Sequence, residues 1–397
     1  MKCRKLANGK WECYAEGPRD PISNKRNAIR KQSTKKAVAQ RKVQEALEAL
    51  QSGVDGRKAN ILTFNEVAAE WFHVYSMTGV KKSTLRSRRS SLKTLDPYLG
   101  EVAIGRINHQ VIQDMLTDLF KKDASKSTMA HAKVTANFVF RHAQKQLLRL
   151  DNPVDHTIIP KKRQTVAEIE REEIGEKYFD RQELEIFLKT AISNGLENDA
   201  EWSHLVAFTG CRIGEICALK WSDVFFDLKQ VRITKTLDNA ASIKSYELTP
   251  PKTFRSIRSI DVDDRILAML KRLKVRQAEN RLKYKAITQD FHDENFVFCR
   301  PKNGYPYSSR NFYRRCLRLC QKAGLSKIDG PHILRHTHIT MLTEAGVDLD
   351  TIMNRVGHSD ARTTKNIYTH ITKNKKKDAA AQVNFHYGDI FDDYLEG

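Results

Sequence analysis

The sequence predicts an α+β chain that is mainly helical. Its parts are a small β-sheet-plus-helix module at the N-terminus, a four-helix domain, and a mixed, mostly helical domain containing a β-hairpin. Three observations carry this. Residues 4–16 alternate around Asn8-Gly9, as in a hairpin whose tight turn needs positive φ. Capping boxes and apolar residues at helical spacing run from Thr63 to about residue 148. Two β-like stretches, 231–237 and 246–262, then interrupt a helical remainder.

Composition sets the outer bounds. The 397 residues are 40% hydrophobic, enough for packed cores, which excludes a disordered chain and suggests two or three domains. No apolar run approaches the ~18 residues of a membrane span, and Met1-Lys2-Cys3-Arg4-Lys5 is not followed by an apolar signal core. A cytoplasmic, nucleoid-associated protein with no membrane partner is expected. The seven cysteines are odd in number and lack a Cys-x-x-Cys pair, so all are read as reduced thiols. The net charge of +21 is unevenly placed: +9 over residues 1–60, +8 over 61–163 and +4 over 164–397. A polyanion gripped by the first 160 residues fits this distribution, because neutralising phosphates releases counterions.

In the first part, residues 1–58, the hairpin carries Trp11, Cys13 and Tyr14, and a third strand is expected within 25–32. Ser33 or Thr34 can cap a helix through Val38, Val43, Ala46, Leu47 and Leu50 that ends near Gly53. So slight a core does not suggest an active site. Lys2, Arg4, Lys5, Lys10, Lys25, Arg26 and Arg30 can instead set a sheet face against DNA.

The second part spans 59–163. Thr63 and Glu66 form a capping box ahead of Val67, Trp71, Phe72 and Tyr75 on one helix face. Ser83 can cap a second helix whose first turns are crowded by Lys81, Lys82, Arg86, Arg88 and Arg89. Cations there oppose the helix dipole, so an anionic partner explains them better than helix stability does. Two more helices, about 109–120 and 126–148, precede Asn152-Pro153. Residues 164–179, rich in glutamate and without apolar periodicity, are expected to form an extended linker ending at an Asp180/Glu183 capping box.

The third part, 180–373, carries the chemistry. A helix ending near Gly210 and another starting around Arg212 would hold that guanidinium at a junction suited to a phosphate, with Glu215 one turn on to orient it. Pro331 suits a helix start, and His332 and Arg335 at i,i+3 share one face. A zinc site at His332 and His336 is disfavoured, since Ile333 stands where a metalloprotease glutamate would be; no metal is expected. Gly357-His358-Ser359 precedes a helix from Ala361 that carries Tyr368.

Taken together, Arg212, His332-x-x-Arg335, Gly357-His358 and Asn366-Ile367-Tyr368-Thr369-His370 resemble the tyrosine recombinase (phage integrase) family. Pro251 to Arg258 is similar to that family's Lys-Thr-x-x-Ser-x-Arg segment, with Lys252 the matching lysine and Lys244 a distant second. Cys211, where an apolar residue is expected, is a minor departure. The resemblance implies a site-specific DNA recombinase, an integrase/excisionase of a temperate phage or conjugative transposon. It would cut and rejoin strands through a 3′-phosphotyrosine and a Holliday junction, as a homotetramer on double-stranded DNA, without ATP or any cofactor. The implied catalytic set is Arg212, Lys252, His332, Arg335, His358 and Tyr368. The resemblance further implies an arm-site module at 1–58, a core-binding domain at 59–163, and work alongside a host DNA-bending protein and an excision factor. The tail 374–397, with Val383, Phe385, Tyr387, Ile390, Phe391 and Tyr394, is expected to pack on a neighbouring protomer. Alternatives are a type IB-like topoisomerase, a chromosome-dimer resolving recombinase and, less readily, a non-catalytic DNA-binding regulator.

Overall fold

The computed structural model describes residues 1–19, 26–51, 54–162, 178–239, 242–251, 256–327, 330–357, 364–365 and 368–369. The chain divides into two compact units, Met1–Gln164 and Thr165–Gly397.

The first unit begins with an antiparallel sheet of β1 (Lys2–Lys5), β2 (Trp11–Arg19) and β3 (Arg26–Ser33), in the order β1-β2-β3. Its first turn is the expected one, with Gly9 at φ 78°, the conformation glycine reaches without a Cβ penalty. Helix α1 (Lys36–Gln51) covers one sheet face, burying Cys13, Ala15, Ile29, Ala39 and Val43. The seven-thiol expectation is corrected at one pair: Cys3 and Cys13 form a disulfide. The two residues stand directly opposite in the β1–β2 register, a proximity that hairpin pairing creates and a spacing search does not see.

Four long helices build the next layer, after the short α2 (Gly56–Ala59): α3 (Phe64–Ser76), α4 (Lys82–Leu99), α5 (His109–Lys121) and α6 (Lys126–Lys145). The Thr63/Glu66 capping box forms as read. Helix α4 differs: it begins at Lys82 behind Lys81, which makes no side-chain cap, and Ser83 lies inside the first turn. Phe64, Leu95, Leu99 and Phe140 fill the centre of this core. Trp71 stacks on Phe138 at 5.8 Å and on Tyr75 at 5.1 Å.

In the second unit, Asp180 and Glu183 cap α7 (Arg181–Asn194) as predicted. Helix α8 (Asp199–Thr209) ends at a left-handed Gly210, and α9 (Ile213–Ala218) starts behind Arg212. The 231–262 region is not one hairpin. β4 (Val224–Phe225), β5 (Gln230–Ile233) and β8 (Arg258–Asp261) form one sheet, while β6 (Thr236–Asn239) and β7 (Tyr246–Thr249) pair separately. The expected strand 246–262 breaks after Thr249 because Pro250 and Pro251 have no N–H to donate to a ladder. Helices α10 (Asp264–Lys285), α11 (Ser309–Lys322), α12 (His332–Glu344) and α13 (Leu349–Val356) follow in the same unit. Asp199, fully buried, accepts from Trp202 Nε1 at 3.0 Å and from Arg315 and Arg318 at 2.9 Å, tying α8 to α11. A small separate cluster of Ile339, Ile352 and Val356 joins α12 to α13. No helix among the described residues is long and apolar enough to cross a membrane.

Gly210 is needed twice over. Its φ is +64°, and a Cβ there would lie 2.6 Å from His338 Cδ2 and 3.0 Å from Val356 Cγ1. Gly210→Ala is therefore expected to destabilise the protein by about 2 kcal/mol or more. Denaturant unfolding checks this, and a variant as stable as the parent would contradict the packing described.

Candidate active site

The site is organised around the last turn of α13. Arg212 is the N-cap of α9; its backbone N–H donates to Glu215 Oε2 and its Nη1 to Glu215 Oε1, each at 3.0 Å. Its Nη2 donates to the Gly357 carbonyl at 2.7 Å. Arg335, in the first turn of α12, donates to the Gly210 carbonyl and, at 2.7 Å, to the Val356 carbonyl. Arg258 of β8 donates through Nε to the Arg355 carbonyl at 2.7 Å and through Nη2 to Glu215 Oε2 at 2.9 Å. Three consecutive carbonyls that a helix C-terminus leaves without helical donors thus receive three guanidinium groups from three other elements.

Arg355 closes the ring. Its Nη2 reaches the Phe208 and Asp261 carbonyls, and its Nε donates to His338 Nε2 at 3.3 Å. His338 Nδ1 lies 2.9 Å from the Ala207 carbonyl; serving both partners requires a neutral ring protonated at Nδ1. Burial, helped by Arg355, pushes its pKa down to about 3, so the ring is neutral throughout the physiological range.

The electrostatics are those of a site short of anions. Burial opposes charge on Glu215, yet Arg258 and then Arg212 outweigh it and hold the carboxyl below its ordinary range. Arg335 is 3% exposed. Burial, and next the neighbouring Arg212, push its pKa down to about 9, which still leaves it protonated at neutral pH. Four guanidinium groups converge here, with Glu215 between two of them and Asp261 beside Arg355. A phosphodiester would relieve that repulsion, and the Arg212 side chain, 33% exposed, presents an accessible edge.

Of the residues read from sequence, Arg212 and Arg335 converge on the Gly357 and Val356 carbonyls, and Glu215 bonds to Arg212. His332 begins α12 one turn before Arg335, but is exposed where Arg335 is buried. Tyr368 is half-buried, lies in helical backbone, and packs against the Ile339–Ile352–Val356 cluster. Lys252 and His358 lie outside the described residues, as does the tail from 374. The sequence reading gave no role to Arg258, Arg355 or His338. Arg258 closes the quoted Lys-Thr-x-x-Ser-x-Arg segment, so its place in that pattern was the available signal.

The expected DNA-facing cations sit in varied settings. Strand register puts Lys2, Tyr14 and Arg30 in one cross-strand row and Arg4, Glu12 and Gln32 in the next, on the sheet face opposite the one that buries Cys13 against α1. Arg4 pairs with Glu12 at 2.7 Å and remains largely exposed. Lys5 alternates to the other face, Lys10 follows the turn, and Lys25 lies outside the described residues, as does the side chain of Arg26. Lys81 occupies the N-cap position of α4 and Lys82 opens the helix; Arg86 is half-buried. Arg88 stacks over Phe138 at 5.1 Å and donates to Thr135 Oγ1 at 3.2 Å, and Arg89 lies over Phe72 at 5.2 Å. Those two guanidinium groups therefore also serve the packing of their own domain.

Residues 177–375 match the phage integrase family, and residues 63–120 match its N-terminal SAM-like domain. A prophage ps2 probable integrase of Lactococcus lactis subsp. lactis (strain IL1403) is 31% identical over 383 residues, covering 95% of this chain and 97% of the relative. The ICEBs1 integrase of Bacillus subtilis (strain 168) is 24% identical, covering 97% and 99%. Among solved structures, the Tn1549 transposon integrase in complex with transposon right end DNA superposes with a TM-score of 0.64 at 20% identity, covering 80% of this chain and 100% of that one. A lambda integrase dimer bound to a COC′ core site gives 0.55 at 18% identity, covering 92% and 94%. The fold is that of the tyrosine recombinases, enzymes that break and rejoin DNA at specific sites. The chain belongs to the phage integrase family, whose members here include a prophage integrase and an ICE integrase.

Proposed function

We propose that the protein integrates and excises a mobile element by transferring DNA strands to and from Tyr368. The observation that carries this is the convergence of Arg212 and Arg335, from two helices, on the end of a third, 11 residues before the tyrosine in the Gly357 case. In the reaction the Tyr368 oxygen attacks the scissile phosphorus, forming a 3′-phosphotyrosine as the bond to the 5′-oxygen breaks. Arg212 and Arg335 stabilise the non-bridging oxygens, and Glu215 holds the Arg212 fork in place. His332 and His358 donate hydrogen bonds and carry the tyrosine proton, while Lys252 protonates the departing 5′-oxygen. The ester conserves the energy of the broken bond, so religation to another strand needs no ATP.

Two DNA sites and four protomers would give a Holliday junction and its resolution, a reading supported by the lambda integrase tetramer solved on such a junction. Residues 1–58 take the arm site through the outer sheet face of Lys2, Arg4 and Arg30, and 59–163 bind the core site. A host DNA-bending protein and an excision factor assist, the tail 374–397 packs on the next protomer, and the enzyme works in the cytoplasm at the nucleoid.

Two experiments test these assignments. Lys252→Ala should cleave poorly but recover on a substrate whose 5′-oxygen is replaced by a better leaving group; failure to recover would move the acid role to another residue. Deleting residues 1–58 should leave cleavage of core-site duplexes within about threefold of the full chain while integration falls at least about 100-fold. Loss of core-site binding would overturn the division of labour, and relaxation of unrelated supercoiled plasmids would favour a topoisomerase.

A further inference from the structure

The most enclosed ion pair of the site belongs to a residue outside the proposed catalytic set. Arg258 leaves only 6% of its side chain exposed, and Glu215 only 3%. Its guanidinium makes two bonds to the Glu215 carboxylate, Nη2 to Oε2 at 2.9 Å and Nη1 to Oε1 at 3.3 Å. It also donates to the Arg355 and Ser256 carbonyls, and a Cβ on Gly357 would fall 2.9 Å from its Nη1. Glu215 then spends both oxygens a second time on Arg212, through the backbone N–H and Nη1.

We propose that Arg258 is a positioning residue for strand cleavage: its fork fixes Glu215 and through it Arg212, while its Nε ties β8 to the last turn of α13. The chain of contacts is directional. Arg212 reaches its own carboxylate from one side, and Arg258 neutralises that carboxylate from the other. Without the second cation, a carboxylate this enclosed would take up a proton, and a neutral Glu215 could no longer hold the Arg212 guanidinium by charge. The groups facing Glu215 are Arg212 from the α9 N-terminus, Arg258 from β8, Arg335 from α12 and the Cys211 thiol. Among these only Arg212 and Arg258 bond to it in the contacts described. Arg258 also begins the strand that follows the segment of Lys252, so the same bond to the Arg355 carbonyl links that segment's downstream end to the helix preceding His358.

The test rests on the reading of Arg212 as a phosphate ligand and compares the full-length parent protein with R258M, R258K and R258M/E215Q. Single-turnover cleavage of a nicked core-site duplex and affinity for that duplex are measured between about pH 5 and pH 8. R258M should cleave about 10- to 100-fold more slowly at neutral pH, as expected for loss of a supporting shell, with affinity within about threefold. Its rate should carry a rising limb with pH, as Glu215 gives up its proton, that the parent lacks. R258K should recover part of the rate without the limb, and R258M/E215Q should be flat. Cleavage by R258M or R258K equal to the parent, or rate and affinity falling together with no limb, would overturn the proposal.

A melting series separates this idea from the one beneath it. With Arg258 gone, the folded-state pKa of Glu215 rises above its unfolded value, so the melting temperature of R258M should fall as pH rises through that range. R258M/E215Q should lose this slope. If the parent forms no adduct, the reading of the site fails, while the melting slopes still decide whether Arg258 governs Glu215: a slope absent from R258M would refute it.

Discussion

Tyr368→Phe is expected to abolish the covalent protein–DNA complex completely while leaving affinity for core-site duplex within about twofold of the parent. The ring is half-buried against Ile339, Ile352 and Val356, and phenylalanine retains that apolar contact, so the backbone at residue 368 keeps its place. In the proposed reaction what is removed is the attacking oxygen, and no rate enhancement by the guanidinium groups can substitute for an absent nucleophile. Trapping on a nicked substrate reads the adduct, and a gel shift under the same conditions reads binding. An adduct formed at normal yield by the phenylalanine variant would place the nucleophile elsewhere.

Arg212→Ala carries the next largest effect. A preorganised donor aimed at developing charge is worth on the order of 3–4 kcal/mol, so cleavage should fall roughly 10²- to 10³-fold. The structure adds a structural share: removing the Arg212 side chain leaves the Gly357 carbonyl without that donor and leaves Glu215 with the residue 212 backbone N–H and Arg258. The share should be small, because the Arg212 side chain is one-third exposed and water can reach the vacated edge. Arg335→Ala behaves differently. That side chain is buried and serves the Gly210 and Val356 carbonyls, so its loss should lower stability as well as rate. Measuring cleavage and unfolding on both variants separates the roles. Arg212→Ala with near-parental cleavage would refute its assignment as a phosphate ligand.

What the sequence made legible was local. The capping boxes at Thr63/Glu66 and Asp180/Glu183 depend on residues three apart, and both form. The Gly210 stop and the Arg212 start depend on one backbone conformation that glycine favours. Where short-range signals compete, the packed structure overrides some of them. Ser83 offers a cap, but the chain enters α4 at Lys82; the β-like stretch 246–262 contains Pro250-Pro251, two residues without N–H groups, and its pairing splits there. The ring of arginines was invisible for another reason. Arg258 meets Glu215 across 43 residues and the Arg355 carbonyl across 97, and Arg355 meets the Phe208 carbonyl across 147. Such contacts are decided by the packing of α8, α12, α13 and β8 together. The disulfide of Cys3 and Cys13 has the same character on a smaller scale, since strand register rather than motif spacing makes the two sulfurs neighbours.

The most direct measurement is the site of covalent attachment. A nicked duplex built from the mobile element's own end, which loses a short fragment on cleavage and so prevents rejoining, is incubated with the full-length protein. The trapped adduct is digested and sequenced by mass spectrometry. The account predicts a nucleotide joined through its 3′-phosphate to the peptide containing Tyr368. Attachment to any other side chain, or through a 5′-phosphate, would contradict it.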